Sequence, residues 1–190
     1  MSLLTPINLD NVSQGTIDYV SVWYYAINSC LRKRRIAKVV QPLIDDIIAD
    51  INNLGISSGP IRLYRGLDDE MFYNLPVGYA IRDEGFNSQS TSYTSSSFYS
   101  SVAMLVITWQ TIDKLLYFEE EEEVLTYPGV EYTITRVEKK GEKFIYYVEA
   151  RSIFEEIKEK IAGWYDSSLD HYQYEIEEIK PIMFRVLKDE

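Results

Sequence analysis

The chain has 190 residues, 46% of them apolar and 14% aromatic, with one cysteine, one histidine and a formal net charge of −11 at pH 7. That length suits one compact domain with a full core, and the acidic balance disfavours nucleic acid as a partner. Lone Cys30 permits no internal disulfide and no thiolate-rich zinc site, and lone His171 supports neither a histidine metal centre nor a convincing catalytic triad, so no metal is expected.

Residues 1–14 read as an N-terminal arm, without the basic start and long apolar run of a signal peptide. From Gly15, "GTIDYVSVWYYAINSCLRKRR" reads as a helix, with Tyr19, Val20, Trp23, Tyr24, Ile27, Cys30 and Leu31 at three- and four-residue spacing. Its basic end, Arg32 to Arg35, reads as a solvated helix terminus rather than a nuclear signal. "QPLIDDIIADINNLG" is a second helix, with Pro42 in its first turn and Gly55 at its stop. The texture then changes. "IRLYRGL" and "VAMLVITW" read as strands, and "EEVLTY", "EYTITRVE" and "KFIYYVEA" as three more, joined by Pro128-Gly129 and by a hairpin at "KKGE". "SIFEEIKEKIAGWY" returns to helical period, and "IKPIMFRVLK" is a candidate last strand. No apolar stretch approaches the roughly 18 residues of a membrane span. Helices first and mostly antiparallel strands afterwards indicate an α+β fold. The expected organisation is an arm at 1–14, a core at 15–150 and a helix-strand extension at 151–190 packed on the same domain.

Three features carry chemistry. Arg65 sits between Tyr64 and Gly66 in an apolar strand. A guanidinium there must pair or emerge into a cleft, where it suits a phosphate, and Gly66 leaves room for a ligand near the backbone. The stretch "NSQSTSYTSSSFYSS" from Asn87 offers hydroxyls that can hold a carboxylate or a ribose. In "EEEVL", strand alternation points Glu121 and Glu123 the same way, and two like charges on one face raise one of the two pKa values. Each feature alone has a plainer reading: a structural ion pair, a polar loop, an acidic edge that discourages aggregation.

In their order and spacing the three resemble the mono-ADP-ribosyltransferase family, in its arginine, Ser-Thr-Ser, Glu-x-Glu branch, which includes clostridial binary toxin enzymes and related effectors. Tyr19, Tyr24, Ile27-Asn28 and Leu31-Arg32 resemble the family's helix, and "EVLTYPGVEYTI" its Glu-Val-Leu segment, so the resemblance spans roughly residues 17 to 150. Two features depart from the pattern. After Phe86, either Ser88-Gln89-Ser90 keeps the family's spacing or Ser90-Thr91-Ser92 keeps its residue types; the residue types favour the second. The stretch leading to the glutamates is short, so the usual intervening helix should be cut down to "YTSSSFYSS".

The resemblance implies N-terminal helices packed on a split, mostly antiparallel β-sandwich with an NAD cleft. It implies NAD as co-substrate and a protein carrying an acceptor arginine as partner. Glu123 would bind the ribose 2′-hydroxyl and stabilise oxocarbenium charge as the nicotinamide bond breaks. Ser90 would orient Glu123, and Arg65 would clamp the pyrophosphate. Gly66, Phe86, Thr91, Ser92 and Tyr24 would complete the cofactor site. Glu121 would face the acceptor, and Tyr117 and Phe118 would touch the target from a loop. The resemblance also implies a soluble protein acting inside a cell, delivered there as an effector or toxin. An NAD glycohydrolase and a non-catalytic acidic module on the same scaffold are the alternatives.

Overall fold

A computed structural model describes residues 4–169 and the backbone of residues 185–187; His171 and most of the expected last strand lie outside these. The first long helical stretch is not one α-helix. It is α1 (Gln14–Asp18), a π-helical turn (Tyr19–Trp23) and α2 (Tyr24–Lys33). In an α-helix, residues five apart diverge by about 140° around the axis. The wider π turn reduces that divergence, and the Tyr19 and Tyr24 rings meet edge-on at 6.5 Å. Helix α3 (Gln41–Leu54) follows, with Pro42 in its first turn. Gly55 is its C-cap, and a Cβ there would lie 2.3 Å from the Ile51 carbonyl oxygen, so only glycine fits.

The strands are β1 (Ile56–Ser58), β2 (Ile61–Leu67), β3 (Ala80–Asp83), β4 (Asn87–Ser90), β5 (Ala103–Trp109), β6 (Ile112–Phe118), β7 (Glu123–Thr126), β8 (Val130–Lys140), β9 (Lys143–Ser152) and β10 (Arg185–Leu187). Helix α4 (Tyr93–Ser97) follows β4, and α5 (Phe154–Ile161) follows β9. The strands run in the order β1-β6-β7-β4-β2-β5-β9-β8-β3-β10. Every pairing is antiparallel except that of β5 with β9.

The sheet does not lie flat. Leu115 and Val124, from β6 and β7, share one core cluster with Ile81 and Tyr132, from β3 and β8 at the far side of the ladder. The ladder therefore curls into a sandwich around that cluster. Alternation sends the next residues, Leu116 and Leu125, to the opposite face. There they pack with Ile27 and Leu31 of α2, Ile44, Ile47 and Ile51 of α3, and Ile157 and Ile161 of α5. The α+β reading holds, with the helices on one face of a mostly antiparallel sandwich.

Strands β1, β3, β4 and β6 were not expected; β1 lies in what reads as a loop, "ISSGP". Strand β4 is four polar residues, Asn-Ser-Gln-Ser, with no apolar alternation to announce it. In the expected arm, the Ile7 N–H donates to the Tyr117 carbonyl at 2.8 Å, and Ile7, Leu9 and Val12 pack on the helix-side core. The cut-down helix is α4, only five residues long.

Gly129 joins β7 to β8 with φ +91°, and a Cβ there would meet the Ile157 Cδ1 at 2.7 Å. Gly129→Ala should destabilise the fold by about 1–3 kcal/mol through left-handed strain and overpacking against α5. A urea titration of wild type and variant checks this; equal midpoints would show that α5 yields without cost.

Candidate active site

Asp83, at the end of β3, is fully buried and receives two arginines. Arg32 from α2 donates Nε to Oδ1 at 2.7 Å and Nη2 to Oδ2 at 3.0 Å. Arg65 from β2 donates Nη1 to Oδ2 at 3.2 Å and to the Asn87 Oδ1 at 3.3 Å. The Gly85 N–H adds a fourth donor to Asp83 at 2.9 Å. Burial alone would raise the Asp83 pKa, but the two guanidinium groups and the Gly85 N–H hold it below the usual carboxylate range. Burial likewise opposes the Arg65 charge, and Asp83 and the Tyr132 hydroxyl more than offset it. Tyr132 itself is pushed up to about 12, chiefly by burial.

Glu123 opens β7 in the same region. Burial raises its pKa first, the Glu121 charge raises it further, and the Ser88 hydroxyl and Arg65 act against both; the net shift is upward. Tyr19, fully buried on the π turn, feels both Glu123 and Arg65, and burial drives its phenol well above its usual range. Asn28 locks this helix onto the entrance of β4: its Nδ2 donates to the Tyr19 hydroxyl at 3.0 Å, and its Oδ1 accepts from the Phe86 N–H at 2.8 Å. Arg65, Ser88 and Glu121 thus all act electrostatically on Glu123. The roughly 300 Å³ cavity between α3 and α5, lined by Ile36, Ile44, Phe154 and Ile161 among others, shares no residue with this cluster.

Several expected placements are corrected. Ser88, rather than Ser90, is the serine that acts to lower the Glu123 pKa. Ser90 lies directly across the ladder from Glu123, and its Oγ accepts from the Ser92 N–H at 3.0 Å. Phe86 is fully buried and meets the Tyr19 ring edge-on at 5.6 Å, so it is a core residue and not a cofactor contact. Gly66 makes room for the protein's own chain: a Cβ there would lie 2.4 Å from the Ser96 carbonyl oxygen and 2.7 Å from that of Tyr99.

Tyr117 and Phe118 end β6 rather than occupying a loop, and Phe118 is buried in the helix-side core. The basic run is not simply solvated either. Besides Arg32 with Asp83, Arg34 pairs with Glu84 at 2.6 Å and Arg35 with Asp166 at 2.8 Å. Strand alternation does not orient the acidic pair, because Glu121 lies in a turn over residues 119–122, before β7 begins.

Sequence reasoning assigned no role to Asp83, Asn87 or Tyr132, kept Ser88 as the less favoured register, and gave Tyr19 and Asn28 only as part of the helix that resembles the family's. The available signal was "RDEGF": two acids against a glycine and an aromatic, near two arginines that needed partners. It also missed the aromatic rim. Tyr24 is half exposed, meets Tyr25 with tilted rings at 4.0 Å between centroids, and lies near Tyr99. Tyr99 and its neighbour Phe98 are 73% and 83% exposed, so this rim, rather than Phe118, presents aromatic surface. Among the described residues, no group of three or more His, Cys, Asp or Glu side chains could hold a metal ion, and no helix is long and apolar enough to cross a membrane.

The family described as NAD:arginine ADP-ribosyltransferase matches residues 50–152, and the chain belongs to it. Solved structures with the same fold include the ADP-ribosyltransferase Vis from Vibrio splendidus in complex with agmatine. It is 18% identical, with a TM-score of 0.59 over 77% of this chain and 78% of that one. C3stau2 from Staphylococcus aureus with NAD is 16% identical, with a TM-score of 0.61 over 75% and 89%. Exoenzyme S from Pseudomonas aeruginosa, bound to carba-NAD and human 14-3-3 beta, is 13% identical, with a TM-score of 0.58 over 71% and 70%. No curated protein sequence matches the chain.

Asp83→Asn should cost about 3–5 kcal/mol, because two buried guanidinium groups lose their shared counter-charge. Asp83 has a depressed folded pKa, so its contribution is complete above the ordinary carboxylate range and fades as pH falls through the folded value. Urea midpoints at pH 7 and near pH 3 check both points: the gap between wild type and variant should narrow in acid.

Proposed function

We propose that this protein cleaves NAD and transfers the ADP-ribose to an arginine of a target protein, releasing nicotinamide. The observation that carries this reading is a paired arrangement: a half-buried Glu123, opening β7 opposite Ser90 and acting electrostatically with Arg65 and Tyr19, beside an exposed Glu121. The family's description, the NAD held by C3stau2 and the carba-NAD held by exoenzyme S support NAD as co-substrate. Agmatine, a guanidine compound held by Vis, supports an arginine acceptor.

The residues fit a dinucleotide. Arg65, held in place by Asp83 and Asn87, carries a planar guanidinium of the kind that suits the pyrophosphate. As the bond between the nicotinamide nitrogen and ribose C1′ breaks, nicotinamide leaves with the bonding pair and C1′ gains positive character. Glu123, bonded to the ribose 2′-hydroxyl, stabilises that charge more in the transition state than before it. Ser88 orients the carboxylate, and Ser90, Thr91 and Ser92 line the path beside it. A guanidine nitrogen of the acceptor then bonds to C1′. Glu121 first pairs with the guanidinium and then takes the proton it loses. Tyr24 and the exposed aromatics beside it, with Tyr117 at the end of β6, border the approach of the target. The toxin character of Vis and of the Clostridium perfringens BECa enzyme supports action as a protein delivered into another cell.

Labelled NAD with agmatine or cell lysate tests the reading. Label on agmatine or protein is expected; free ADP-ribose alone would mean a glycohydrolase, and no NAD turnover or binding would mean a non-catalytic module. Glu123→Gln should lower transfer and hydrolysis together by roughly 10²–10³-fold. Glu121→Gln should lower transfer roughly 10²-fold while hydrolysis changes far less. Equal losses in the second variant would remove the acceptor role of Glu121.

The pH profile gives a further check. The acid limb of kcat/KM should lie above the ordinary glutamate value of about 4.3, since burial and Glu121 raise Glu123. In Glu121→Gln that limb should move to lower pH, because removing a neighbouring negative charge eases ionisation. An unmoved limb would show that another group sets it.

A further inference from the structure

Glu122, between the two acids of the site, has a left-handed backbone, with φ 52°. For a residue with a Cβ this conformation is strained and persists only where the surroundings impose it. Here the serine-rich segment imposes it. The Glu122 carbonyl accepts from the Thr91 N–H at 2.9 Å and from the Thr91 Oγ1 at 3.4 Å. Its own N–H closes the turn on the Glu119 carbonyl at 3.2 Å. Its carboxylate takes a short hydrogen bond from the Ser95 hydroxyl. Ser95 is fixed in turn: its N–H and Oγ both lie 3.2 Å from the Oγ of Ser92, the residue that caps α4.

We propose that Glu122 is a positioning residue, and that its clamp to Thr91 and Ser95 sets how ADP-ribose is partitioned between an arginine acceptor and water. The inference rests on the transfer reading above. Glu122 sends its side chain to α4, and its two chain neighbours become the site's acids: Glu121 exposed on the turn and Glu123 half-buried at the start of β7. The left-handed residue sets the angle between them. Releasing it leaves Glu123 anchored in the β4–β7 ladder through its register with Ser90. Glu121 has no such ladder, so its distance to an acceptor held over the ribose becomes variable. NAD cleavage needs only Glu123 and survives that change; capture of the guanidine does not.

The test uses the full chain with Ser95→Ala and Ser95→Thr. The threonine variant keeps the hydroxyl and serves as the rescue. With labelled NAD and agmatine, Ser95→Ala should lower the ratio of transfer to hydrolysis about tenfold, the effect expected of losing one hydrogen bond to a charged group. The loss should appear in transfer kcat, with the KM for NAD unchanged. Ser95→Thr should restore most of the ratio. Amide hydrogen exchange at Thr91 reports the clamp without any activity, and should quicken in Ser95→Ala but not in Ser95→Thr. An unchanged ratio in Ser95→Ala, an equal loss in both variants, or unchanged Thr91 protection in Ser95→Ala overturns the proposal. A wild type that labels no acceptor overturns the transfer reading, and with it the partitioning role, and is recognised before any variant is made.

Discussion

One buried carboxylate holds the site together. Asp83 brings α2 to β2 by accepting from Arg32 and Arg65 at once, with the Gly85 N–H as a further donor. A buried anion without partners would be too costly to keep, and so would either arginine without the anion. The helix layer and the sandwich are therefore tied at the point where the chain passes from β3 through Gly85 and Phe86 into β4. Arg65 also acts on Glu123, so the same cluster reaches the acid that opens β7.

The helix that delivers Arg32 is irregular for a reason connected to the site. Its π turn rotates Tyr24 back toward Tyr19, so one aromatic is buried against Phe86 while the other reaches the surface beside Tyr25 and Tyr99. Asn28, one turn further on, bonds both the Tyr19 hydroxyl and the Phe86 backbone. Local distortion, side-chain amide and buried phenol act as one unit that sets the height of α2 above β4. The same economy of position explains Gly66. It permits the Ser96–Tyr99 backbone to lie against β2, and so brings the serine-rich segment over the acidic turn.

The acidic pair was foreseen through a geometry that the protein does not use. Alternation along a strand would have placed Glu121 and Glu123 on one face. Instead a turn precedes β7, and a left-handed Glu122 redirects the chain, yet the two charges still interact. The serine register went the same way. Residue types favoured Ser90-Thr91-Ser92, whereas the serine that acts on the Glu123 pKa is Ser88, two residues beyond the core aromatic Phe86.

The sequence by itself determined the layers and the chemistry available. Helical spacing in residues 15–55, the strand runs around Arg65, Val106, Leu125, Ile134 and Tyr146, and the ordered arginine, serine and glutamate motifs were legible, because apolar periodicity and short motifs are local properties. It also determined that one histidine and one cysteine leave metal chemistry unsupported. What only the tertiary structure decided is which groups meet. Asp83 finds its arginines across sequence separations of 51 and 18 residues. Strand β4 forms from four polar residues because β2 and β7 supply its hydrogen bonds. Phe118 turns inward because the other face of β6 belongs to the sandwich. Each is a long-range pairing whose favourable energy exists only once distant segments are already in contact, and no local pattern in a chain encodes that.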